Sequence, residues 1–176
     1  MKELLRLWRF YQKEAHRCTE NKAYLAGCIM AGSVMETQLI LMVDMYPDEA
    51  AATNKLPTRK KVVEPLLKWK LAELLPVAKA AGWLPSGLNL SDEWCNLKAK
   101  VGDYAEVTRQ LRNLLHPSRY LEDHYRKRVT AKHAHMVFDT MDAVNDFLLA
   151  TLNKSLLKSY EQEQLNKTNT GQDDND

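Results

Sequence analysis

Residues 21 to 45 form the most apolar segment of the chain, and such a segment constrains what the rest must be. Its uncharged run from 23 to 35 is 13 residues long. Crossing a bilayer takes roughly 20. Glu36, Gln38 and Asp44 follow, so the segment reads as the buried central helix of a folded domain and not as a membrane span. Ala23, Gly27 and Ala31 recur at i, i+4 and i+8, which makes one face narrow enough for a neighbouring backbone to approach closely. The chain has only 6 Gly and 6 Pro in 176 residues, too few for a sandwich or barrel with many turns. It is rich in Leu, Ala, Lys, Glu and Met, which are good helix formers. The expectation is an all-α fold, an up-and-down bundle of about five main helices, with residues 1–160 as one domain.

On either side of the central helix the period of apolar residues continues at three and four. Leu4, Leu7, Trp8, Tyr11 and Ala15 mark an amphipathic helix over residues 3 to 20. Pro47 ends the central helix, and the polar stretch from Asp48 to Lys61, with the basic cluster Arg59, Lys60 and Lys61, reads as an unusually long loop. A third helix is expected from about Val62 to Ala81, with Leu66, Leu67, Leu71, Leu74 and Leu75 inside. Pro65 fits its first turn, Pro76 would kink or divide it, and Gly82 is a C-terminal stop. Trp83 and Leu84 should plug the edge of the core. Ser91, followed by Asp92 and Glu93, caps a further helix or helix pair that ends near His116 and Pro117. Thr130 caps the last helix, where Ala134, Val137, Phe138, Met141, Val144, Leu148 and Leu152 keep the same rhythm. From Glu161 the chain is almost devoid of apolar residues, and residues 161–176 are expected to be a disordered tail.

The segment with most chemical content runs from Tyr104 to Tyr120. At about 100° per residue, Val101, Tyr104, Val107, Thr108, Leu111, Leu114 and Leu115 share an apolar face. Arg109, Arg112 and His116 gather within an arc of roughly 60° at its margin. Asn113 lies just outside that arc. Two guanidiniums and an imidazole suit phosphodiester chemistry: Arg holds phosphate charge by fixed hydrogen bonds, and His moves a proton near neutral pH without a metal. The same residues near a helix C-terminus also serve simply to cap carbonyls or to pair with a carboxylate from another helix. Glu36 is the natural carboxylate, because a lone acid in the most apolar helix needs a cationic partner such as Arg112 or Arg109. Downstream, Arg119, Tyr120, Arg126, Lys127 and Arg128 form a basic, aromatic-bearing strip that could follow an RNA backbone and stack a base, or be an ordinary solvated loop.

Arg112-Asn113-Leu-Leu-His116-Pro117, placed late in a helical domain after a helix reading Leu25-Ala-Gly27 to Met35-Glu36, resembles the HEPN superfamily. The resemblance covers roughly residues 20 to 152 and implies a helical bundle that forms homodimers. Active members are metal-independent endoribonucleases with an Arg-x(4 to 6)-His motif and a polar residue after the Arg. Arg109 to His116 has six intervening residues with Gln110 as the polar neighbour; Arg112 to His116 has three, below that range, with Asn113 as the polar neighbour. The two registers compete. Carried over, His116 would be the general acid or base, Arg112 or Arg109 would stabilise the phosphorane, and Asn113 would orient one of them; Glu36, from its place in the apolar helix, would either pair with the Arg structurally or orient it at a dimer groove. The resemblance also allows a catalytically silent interaction module partnering a toxin, a nucleotidyltransferase or a defence protein.

Lys plus Arg number 25 against 23 Asp plus Glu, so there is no global nucleic-acid charge signature and any basic patch is local. The three cysteines, at 18, 28 and 95, make no C-x-x-C pair, which argues against a disulfide framework or a zinc knuckle and for a reducing, cytoplasmic compartment. The first residues lack a signal-peptide hydrophobic run. His133 and His135 are two apart on a helix and point to different sides, so no metal site is expected there. No phosphate loop or dinucleotide-binding glycine motif occurs, and no cofactor is expected.

Overall fold

The computed structural model describes residues 1–85 and 129–170. Its elements are α1 (Lys2–Glu20), α2 (Tyr24–Met45), α3 (Pro47–Ala52), a hairpin of β1 (Thr58–Arg59) and β2 (Val62–Val63), a single 3-10 turn at Leu66–Lys68, α4 (Leu71–Ala80) and α5 (Ala131–Thr170). The fold is all-α, a helical bundle with the hairpin as its only described sheet.

α2 is the axis of the bundle: it packs against α1, α3, α4 and α5. It is long and apolar enough to cross a membrane by length and composition, but most of it is buried within the protein. Gly27, Cys28, Ala31, Val34, Met35, Leu39 and Met42 all contribute to that burial. The polar residues of α2 are accommodated locally. Ser33 Oγ donates to the Ile29 carbonyl at 3.1 Å and Thr37 Oγ1 to the Ser33 carbonyl at 2.8 Å, so neither hydroxyl is buried without a partner. The narrow face does what its small residues predict. A Cβ on Gly27 would collide with Thr19 Oγ1 and lie 3.4 Å from the Ala15 carbonyl oxygen, so α1 and α2 approach backbone to side chain at that point.

α1 and α2 are joined by a tight turn whose geometry is a Schellman motif. The Ala23 N–H donates to the Cys18 carbonyl at 2.8 Å and the Lys22 N–H to that of Thr19 at 3.0 Å. Lys22 occupies the left-handed region, φ 62°. α4 ends in the same way: the Trp83 N–H donates to the Ala78 carbonyl at 2.9 Å, the Gly82 N–H to that of Lys79 at 3.2 Å, and Gly82 has φ 75°. Gly82 is therefore the stop that its position suggests. The two residues after it, Trp83 and Leu84, are buried as expected.

Three expectations between residues 47 and 81 need correction. Pro47 ends α2 but also starts α3, since a proline is well placed in a first helical turn. Asp48–Lys61 is therefore not a long loop; it holds most of α3 and one strand of a tight hairpin. The helix expected from Val62 begins only at Leu71, after β2 and the 3-10 turn, and Leu67 is exposed. The β-branched pair Val62–Val63 favours the extended strand, and Pro65 interrupts helix formation before Leu66. Pro76, by contrast, sits inside α4 without dividing it. Leu71, Leu74, Leu75, Val77 and Ala78 are buried on both sides of it, and that packing outweighs one missing helical hydrogen bond.

The hairpin pairs Arg59 with Val62 and turns through Lys60 and Lys61, whose φ values are 50° and 67°. Two successive left-handed residues are the geometry of a type I′ turn, which favours Asn-Gly. Lysine at both places is strained by about 1–2 kcal/mol per residue. Replacing Lys60→Asn together with Lys61→Gly is expected to stabilise the fold by about 1–2 kcal/mol. Chemical denaturation measures this directly, and an unchanged or lower midpoint would contradict the strain.

α5 begins as expected after Thr130. The Thr130 N–H donates to His133 Nδ1 at 3.2 Å, so the imidazole takes the place that a Glu or Gln fills in a capping box. Ala134, Val137, Met141, Val144 and Leu148 are buried along one stripe. The disordered tail expected from Glu161 is helical over its first ten residues, because α5 runs to Thr170. Glu, Gln, Leu and Lys in that stretch have good helix propensity, which continues the local hydrogen bonding where burial has ended.

Candidate functional site

Of the residues that the sequence nominates, Glu36 is the one on a described element. It is half-buried on α2, near the middle of the helix that every other described helix touches. His116, Arg112, Arg109 and Asn113, with Arg119, Tyr120, Arg126, Lys127 and Arg128, lie outside the described residues, and so does Cys95.

The groups around α2 have distinct electrostatic roles. Cys28 is buried, and burial pushes its thiol up to about 11, so it is an inert small hydrophobe and not a nucleophile. Across the α1–α5 contact, the rings of His16 and Phe138 meet edge to face at 5.0 Å. Near them, burial raises the Asp142 carboxyl; His16 opposes the shift, and Asp139 and Asp146 on the same helix reinforce it. His133 is held by Thr130 and His135 is exposed. Among the described residues no group of His, Cys, Asp or Glu is arranged to hold a metal ion.

Roughly 160° around α2 from Glu36 lies Gln38, which borders an apolar concavity. Its cavity volume is about 220 Å³, between α1, α2 and α5. Trp8 comes from α1, Gln38, Leu41 and Met42 from α2, and Asn145 and Leu152 from α5. Gln38 is 9% exposed, and its Nε2 donates to Asn145 Oδ1 at 2.9 Å, a hydrogen bond that ties α2 to α5. Its Oε1 and the Trp8 indole nitrogen are buried without a hydrogen-bond partner. The sequence reading passed over both: Trp8 fits the apolar period of α1, and Gln38 appears only as a polar interruption. The signal that could have found them is a Trp and a Gln, both polar-tipped, on otherwise apolar helix faces.

No family model, no curated protein and no solved structure matches this chain.

Proposed function

We propose that this protein is a HEPN-like helical RNA-binding domain that cleaves RNA without a metal, acting as a homodimer. The feature that carries the reading is the sequence spacing of Arg109, Arg112 and His116, which would gather them within an arc of roughly 60° on the helix that the apolar period predicts there. Glu36 supports it, as a half-buried carboxylate on the central helix of an all-α bundle.

In the proposed reaction a ribose 2′-hydroxyl attacks the adjacent phosphorus and the bond to the 5′ oxygen breaks, leaving a cyclic phosphate and a free 5′-hydroxyl. His116 takes or gives the proton, and Arg109 or Arg112 meets the charge that develops on the phosphorane. Asn113 and Glu36 orient those groups. Arg119, Tyr120, Arg126, Lys127 and Arg128 hold the flanking backbone and stack a base.

Incubating the purified protein with single-stranded RNA in EDTA tests this. The expected result is cleavage that persists in the chelator and falls by about 10²–10⁴-fold in His116→Ala. The parallel Arg109→Ala and Arg112→Ala variants identify which register pairs with the histidine. RNA that stays intact at high protein concentration would overturn the catalytic reading and leave an interaction module for a protein partner.

A further inference from the structure

The cavity between α1, α2 and α5 is unlike the rest of the core in one respect. Trp69 and Trp83 are buried, and each indole N–H has an acceptor: the Glu64 carbonyl at 2.8 Å for Trp69 and Glu49 Oε2 at 2.8 Å for Trp83. Trp8 Nε1 has none, and neither does Gln38 Oε1 in the wall of the same cavity. Leaving a buried donor or acceptor unsatisfied carries a desolvation penalty that a bound partner would relieve. Two residues that carry such atoms, one a donor and one an acceptor, stand in the wall of one concavity whose open lining is almost wholly apolar, with the orphaned atoms just behind it. That combination, an apolar wall with a few placed polar groups, is how small-molecule sites are built.

From this we infer a binding site for a small, neutral amphiphile: a ring or short chain that fills the apolar space and carries a hydroxyl. A hydroxyl accepts from an indole N–H and donates to a carboxamide oxygen, so it can serve either orphaned atom. The size fits, since a cavity of about 150 Å³ accommodates benzene and this one is about 220 Å³. No lining side chain is charged, and the one cationic group at the wall, the Met1 ammonium, is already opposed by Asp44 at 4.0 Å, which argues against a phosphate or carboxylate guest. Both orphaned atoms are shielded from bulk water, so entry requires a small rotation of flexible lining side chains such as Met42 and Leu5. Leu5 and Leu149 at the mouth are 40% and 48% exposed, which leaves that route open. The site stands on the opposite side of α2 from Glu36, and its test does not depend on RNA cleavage.

The test compares p-cresol with toluene on the full chain, following the indole N–H resonances by two-dimensional NMR, with Trp8→Phe identifying the Trp8 signal. At low millimolar concentration p-cresol is expected to move the Trp8 resonance and to bind about three- to tenfold tighter than toluene. In Trp8→Phe that preference should shrink. In Leu152→Trp, which fills the cavity from α5, neither compound should bind while the melting point stays near that of the parent. A Trp8 resonance that ignores p-cresol, or equal affinity for both compounds, would overturn the proposal. So would a second copy of the chain covering the cavity, seen as a concentration-dependent dimer that p-cresol neither enters nor disrupts.

Discussion

Replacing Ala31 with aspartate is expected to abolish the cooperative thermal transition of the purified protein, as followed by far-UV circular dichroism. Ala31 has no solvent exposure and lies on the helix against which α1, α3, α4 and α5 all pack. A carboxylate there adds volume to a close-packed face and must either be desolvated or take up a proton. Burying it unpaired costs several kcal/mol. Total stability for a domain is only about 5–15 kcal/mol. Ala31→Gly separates charge from chain effects, because it removes one methyl and weakens a helix interior by only about 1 kcal/mol. A parent-like melting curve for Ala31→Asp would mean that α2 is not the buried axis of this bundle.

Trp83→Ala should destabilise by about 3–5 kcal/mol, which for a domain of this size lowers the melting temperature on the order of 10 °C. Trp83 is 2% exposed, follows the Gly82 stop of α4 and packs beside Tyr46, with ring centroids 6.2 Å apart. Its indole N–H also reaches the Glu49 carboxylate on α3, so a single side chain fastens the end of α4 to the short helix after α2. Trp83→Phe keeps most of the ring and loses that hydrogen bond, with an expected cost of about 1.5–3 kcal/mol for a bond to a charged acceptor. If Trp83→Ala and Trp83→Phe melt together, the hydrogen bond and not the packing carries the effect. If both melt with the parent, the plug has no structural role.

The helices that the sequence makes legible are those whose apolar period is long. α1 and α2 are found within a few residues of their observed ends, and α5 starts where Thr130 indicates. The errors lie where local preferences compete. Val62–Val63 belongs to an apolar run that a helix could have absorbed, yet the turn at Lys60–Lys61 pairs it with Thr58–Arg59 instead. Lysine carries no signal for a left-handed backbone, so neither that turn nor the one at Lys22 could be anticipated, while Gly82, with the same geometry, could. The candidate site divides in a similar way. Glu36 stands out because it interrupts an apolar helix, whereas Gln38 and Trp8 gain meaning only when α1 and α5 close around them.

Composition and the three-to-four spacing of apolar residues were enough to determine an all-α chain with one dominant helix, since both depend on neighbours within a few turns. Tertiary structure alone decided that Pro76 is carried inside α4, that Trp83 meets Glu49, and that an indole N–H and a carboxamide oxygen are left buried without partners on two residues of one cavity wall. Glu49 and Trp83 are 34 residues apart and Gln38 and Asn145 are 107 apart. Contacts over such separations depend on how whole helices pack, and that energy is shared among many side chains, so no local pattern encodes it.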